Sequence, residues 1–191
     1  MIARGPAKAR PSRKTVGAAL AADTSGLALI EFAMVLPVLM ILYLAGFQLG
    51  DGIACSRKVT IATRAVADLV AQNLSGTTSA VEVQGSLAAA SQILAPYDTS
   101  NAVVRITEVA TDASRRTTVQ WSRASDASAY RRGDPVVIPD AMRIQGTYLL
   151  YAEVRYAYRP LTRFGFLDSL DLKDSLYMLP RNSSRIDCAD C

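Results

Sequence analysis

Between Leu27 and Gly50 the chain runs for 24 residues with one acid, Glu31, one amide, Gln48, and no basic residue. As a helix rising about 1.5 Å per residue, this stretch reaches about 36 Å. The hydrocarbon core of a bilayer is about 30 Å thick, so the stretch predicts one membrane-spanning helix over 27–50. A charge at the centre of such a helix costs on the order of 2.5–3.5 kcal/mol. Glu31 lies near one end, where the cost is smaller, but it still needs a partner or a function. Pro37 removes one helical hydrogen bond. A spanning helix tolerates that loss with a kink or local unwinding.

Charge is distributed unevenly. The formal charge is +4, yet Arg4, Lys8, Arg10, Arg13 and Lys14 stand against Asp23 alone before Gly26, and charges balance after it. The basic excess belongs to a tail and does not imply nucleic-acid binding. A basic tail ahead of a spanning helix is held in the cytoplasm. A removed secretory signal has an apolar core of about 7–15 residues that ends in a small-residue site. Here the run is longer, and Ala18, Ala19, Ala21 and Ala22 precede it. The reading is therefore an anchor with four parts: a cytoplasmic leader over 1–26, a spanning helix over 27–50, a soluble continuation of that helix over 51–75, and a folded domain over 76–191 beyond the membrane.

Gly46, Gly50 and Gly52 loosen the end of the span, and Asp51 marks the water boundary. From Ile53 to about Leu74 helical periodicity resumes, with Val59, Ala62, Val66, Leu69 and Val70 on one side. Ser79 to Glu82 reads as a capping box that opens a helix to Leu94, ended by Pro96. Ala102–Ala110 and Thr117–Ser122 read as strands around a turn at Arg115 and Arg116. Val136 to Ile138 suggests a short edge strand within a loop over 124–140. Gly146–Pro160 is the clearest strand. Tyr148, Leu150, Ala152, Val154, Tyr156 and Tyr158 share its core face. A turn or short helix is expected over Phe164–Leu172, and a last strand over Ser175–Leu179. A long helix followed by antiparallel strands gives an α+β domain, its small sheet packed across the helix.

Gly26, four apolar residues, Glu31 and Phe32 at the head of this helix resemble the class III signal of type IV pilins. Phe32 to Pro37 sharpens the likeness to the TadE/TadG-like family of tight-adherence (Flp) pilus assembly proteins. Thr63 to Ala67, Tyr151 to Leu161, and Pro180 with Arg181 are also similar to that family. The resemblance implies a pilin-like fold and cleavage by prepilin peptidase between Gly26 and Leu27. It makes Glu31 the assembly charge, facing the new N-terminus of a neighbouring subunit, with Phe32 and Pro37 in the assembly helix. It further implies a minor pilin or pseudopilin in the inner membrane, its domain periplasmic or carried into a pilus. Its partners are other Tad pilins and minor pilins, the inner-membrane assembly platform and membrane lipid. The alternative is an uncleaved single-pass component of the same secretion machinery.

Candidates for chemistry are few. The chain has no His, which removes the commonest general base and metal ligand. Cys188 and Cys191 lack the following helix of a redox motif, and two cysteines alone do not complete a metal site. A disulfide between them is the preferred pairing in an oxidising compartment, with Cys55 a small buried side chain. Tyr148, Tyr156 and Tyr158 read as core. Arg115–Arg116 and Arg131–Arg132 read as solvated turns or subunit salt bridges. Asp171 and Asp174 lack the apolar setting of an acid–base pair. No catalytic residue, metal or cofactor is expected.

Overall fold

The computed structural model describes residues 25–160 and 169–191. The expected leader, up to Thr24, lies outside the described residues, as does 164–168 of the expected turn. The chain divides into two compact units between Phe47 and Gln48.

Helix α1, Ser25–Ala71, is 47 residues long and runs unbroken through Pro37, Gly46, Gly50 and Gly52. The expected loosening at the glycines does not occur. An isolated interior Gly costs a helix about 0.8–1.0 kcal/mol relative to Ala, which the flanking helix formers absorb. In the first unit the described residues of α1 are exposed apart from half-buried Leu44. In the second unit Cys55, Val59, Ala62, Val66, Ala67 and Val70 form a buried stripe at helical spacing. Leu69, expected inward, is 46% exposed. Small residues line the buried side instead. Among them is Thr63, whose hydroxyl donates to the Val59 carbonyl at 2.9 Å.

Strand β1, Thr77–Thr78, leads into helix α2, Ala80–Gln92. The Ser79 hydroxyl accepts from the Glu82 amide while the Glu82 carboxylate accepts from the Ser79 amide, closing the capping box. Strands β2 (Ala102–Thr111), β3 (Thr117–Ala124), β4 (Tyr148–Tyr158) and β5 (Leu170–Met178) form an antiparallel sheet in the order β3-β2-β4-β5. Strand β6, Asp187–Cys188, pairs in parallel with β1. One sheet face closes on the buried side of α1 and on Val83, Leu87 and Ala90 of α2, so the fold is α+β.

Within β4, Leu150, Ala152, Val154, Tyr156 and Tyr158 are buried on that face, and Tyr148 is half-buried. The opposite face is not left to solvent. Val109, Val119, Ile138 and Leu149 make a second cluster there. A bulge creates it: Glu108 pairs with Trp121 but Val109 pairs with Val119, so Gln120 is the extra residue. Trp121 and Val119, two apart in β3, thereby serve opposite faces. Val136 to Ile138 does not form a strand. Its segment reaches β3 through a single bridge between Thr118 and Pro135, because Pro135 and Pro139 supply no ladder N–H. Strand β5 begins earlier than expected. Leu170 to Leu172, assigned to a turn, are paired with β4, and their apolar–polar alternation suits a half-covered edge strand.

Candidate functional site

The sequence motif sits on the exposed first half of α1. Leu27 and Phe32 are each 59% exposed, and Gly26, Glu31 and Pro37 are also exposed. A Cβ added at Gly26 would meet nothing within 4 Å. Among the described residues Glu31 has no hydrogen-bond or ion-pair partner. Leu27 lies one helical turn before it, so the two share a face. This is the one helix among the described residues that is long and apolar enough to cross a membrane.

Where α1 enters the second unit, Asp51 fastens it. Its carboxylate accepts from the Tyr97 hydroxyl at 2.9 Å and the Tyr158 hydroxyl at 2.6 Å. The Tyr97 ring also meets Tyr156 and Tyr158 edge-on, with centroids 6.1 and 6.4 Å away. Burial, then the hydrogen bond to Asp51, pushes the Tyr97 phenol up to about 12. Burial followed by the Asp51 charge pushes the Cys55 thiol up to about 11, so it stays protonated and inert.

The chain's C-terminal segment is held at several points. The Ile186 amide donates to Glu108 at 2.7 Å, and the Trp121 indole donates to the Ile186 carbonyl at 2.6 Å and to Glu108 at 3.1 Å. Arg181 pairs with Asp68. Cys188 and Cys191 are disulfide-bonded, with Cα atoms 5.5 Å apart. Asp190 between them accepts from the Ala80 amide at the start of α2, at 2.9 Å. The sulfurs of the Cys188, Asp190 and Cys191 trio are thus bonded to each other and offer no thiolate to a metal.

Three buried charged residues, Glu108, Arg105 and Glu153, escaped the sequence reading. Burial raises the Glu108 carboxyl to about 7, against the two hydrogen bonds that favour its ionised form. It is sealed beneath Ile186 and Trp121, so it acts as a fastener, out of reach of a substrate. Its sequence signal is its core-facing parity with Val104 and Ile106. Arg105 and Glu153 form a buried pair on the other face at 2.7 Å. Arg105 also donates to the Ser128 carbonyl and the Tyr130 hydroxyl, fixing the following loop. Their cross-strand register is non-local and leaves no such signal.

The site is therefore an exposed apolar helical segment with one acid that has no partner among the described residues. No curated protein and no solved structure matches the chain. Residues 26–68 match the model of the TadE-like protein family. The match begins at Gly26 and covers α1 as far as Asp68. Over that span the chain is similar to TadE-like proteins.

Proposed function

We propose that the chain is a minor pilin or pseudopilin, anchored in the inner membrane by residues 27–50 with its domain in the periplasm. Prepilin peptidase cuts between Gly26 and Leu27, and the subunit then joins the pilus or its initiating complex through its apolar helix. The observation that carries this reading is Glu31, an unpartnered acid on an exposed apolar helix within the TadE-like match. A carboxylate in apolar surroundings needs a cationic partner. Cleavage creates one, the ammonium of Leu27 on a neighbouring subunit, and the pairing sets the axial register of helix packing. Gly26 suits the cut because it has no Cβ to obstruct a protease's approach to the backbone.

The test is the N-terminal residue and intact mass of the protein purified from its own membrane. A start at Leu27 supports the reading. A start at Met1, with the peptidase active on the major pilin, overturns it in favour of the uncleaved machinery component. Gly26→Phe should leave the heavier, unprocessed form. Glu31→Ala should insert into the membrane but fail to enter the pilus or its initiating complex, and normal pilus numbers would remove the register role.

A further inference from the structure

Three loops meet at the end of the sheet remote from Asp51. Strand β4 runs from Tyr148 at this end to Tyr158, which reaches Asp51. The β2–β3 hairpin turns through Ala113, Ser114 and Arg115. The Arg115 amide donates to the Asp112 carbonyl at 3.0 Å and the Asp112 amide to the Arg116 carbonyl at 2.9 Å. Arg115 has φ +60. In such a three-residue hairpin loop the left-handed position is ordinarily glycine, which adopts it without steric cost. An arginine held there is a strained choice, and strain that persists points toward function.

The second loop carries Arg131 and Arg132 and turns at Gly133, with φ +89. It is fixed to β3 by the Gly133 amide on the Val119 carbonyl at 2.8 Å and the Val136 amide on the Thr117 carbonyl at 2.9 Å. The third is tied to the hairpin by the Gln145 amide on the Ala113 carbonyl at 2.9 Å. Together they frame a concavity of about 530 Å³, with Arg115, Arg116 and Arg143 beside Val136 and Val137. Arg116 is paired with Asp112 and Arg143 with Asp140. The side chains of Arg115, Arg131 and Arg132 have no ion-pair or hydrogen-bond partner among the described residues. Val137, which lines the concavity with Arg115, is 88% exposed, and Ile144 of the third loop is 60% exposed.

We propose that this end of the sheet docks an acidic segment of a neighbouring protein subunit. Carboxylates of that segment meet Arg115, Arg131 and Arg132, and its apolar side chains cover Val137 and Ile144. Unpaired guanidinium groups make paired, charge-assisted hydrogen bonds with carboxylates, as they do with phosphates. The exposed aliphatic groups favour a peptide over a hydrated polysaccharide. The inference goes beyond the pilin reading and does not depend on it, since a chain left uncut at Gly26 presents the same surface.

The test uses the full chain in nanodiscs of neutral lipid and a fluorescent peptide of alternating Glu and Leu. A Gln-for-Glu peptide, heparin and phosphatidylglycerol vesicles serve as comparators. Saturable, salt-sensitive binding of the acidic peptide is expected, with the Arg131→Gln/Arg132→Gln double variant weakening it about tenfold or more. Arg115→Gly separates binding from folding: it should weaken binding several-fold while leaving the thermal midpoint unchanged or raised. Val137→Ser should weaken the acidic peptide and leave heparin binding unchanged. Absence of saturable binding, indifference to these variants, or a lowered midpoint for Arg115→Gly would overturn the proposal. So would tighter binding of heparin or of the vesicles than of the peptide.

Discussion

From Gly26 to Tyr43 every residue of α1 is exposed, whereas from Cys55 to Ala71 the same helix buries a continuous stripe. Both halves are rich in apolar residues. They differ in how those residues are arranged. The second half interleaves Val, Ala and Thr with Arg57, Lys58, Arg64 and Asp68, so one side suits a core and the other water. The first half is apolar all round, with large side chains such as Leu39 and Met40 turned outward at 50% and 56% exposure. A helix of that kind needs a membrane or other helices to cover it. Among the described residues the second half is covered by its own chain and the first is not, which is why the candidate site lies in the first.

The largest expected effect tests that division directly. Leu87 is fully buried, where α2 packs in the core that the second half of α1 shares. Leu87→Ala should cost about 2–5 kcal/mol by transfer and cavity terms, read from denaturant unfolding of the full chain in detergent. Leu39→Ala removes a similar side chain from the exposed half. It should leave that transition in place and instead lower incorporation into the proposed assembly. Equal destabilisation by the two substitutions would erase the distinction between the halves.

A smaller effect concerns how the second unit is closed. The carboxyl of Glu108 moves from 4.5 to about 7 on folding, chiefly by burial. Between those values the folded chain keeps a proton that the unfolded chain releases. Stability from this group is therefore complete below about pH 4.5 and falls as pH rises through 7. At about 1.4 kcal/mol per pH unit the loss approaches roughly 3 kcal/mol. Neighbouring Asp187 adds to it and Arg185 offsets it. Glu108→Gln should flatten the slope between pH 5 and 7.5, because an amide does not titrate there, while its oxygen can still accept the Ile186 amide. An unchanged slope would assign the pH dependence to other groups.

How much of this was legible follows the range of the interactions. The capping box of α2 and the core face of β4 are written in spacings of three and two residues, and the structure has both. The candidate motif, Gly26 to Phe32, is equally local. Its proposed partner lies outside the chain, and among the described residues no contact modifies it. What could not be read depends on contacts between distant segments. The bulge at Gln120 sends Val119 and Trp121 to opposite faces, although their spacing in β3 says one face. The parity of Glu108 with Val104 and Ile106 marks its face, but its cover by Ile186, far along the chain, leaves no such mark. The arginine pairs at 115–116 and 131–132 looked like separate turns until the fold brought both to one end of the sheet.

The smallest effect sits at the junction of the two halves. Tyr158 and Tyr97 hold the Asp51 carboxylate from β4 and from the loop after α2. Tyr158→Phe removes one hydroxyl donor and keeps the ring. A hydrogen bond to a charged group contributes about 1.5–3 kcal/mol, and half-buried Asp51 keeps Tyr97 and access to water, so a loss near the lower figure is expected. Asp51→Asn keeps an oxygen acceptor, so it should cost no more. Double substitution distinguishes a shared clasp from two separate contacts, since residues in one hydrogen-bond network depart from additivity. If Tyr158→Phe changes unfolding but not assembly, the clasp serves the second unit alone. If it lowers assembly at equal stability, the clasp also bears on the proposed assembly.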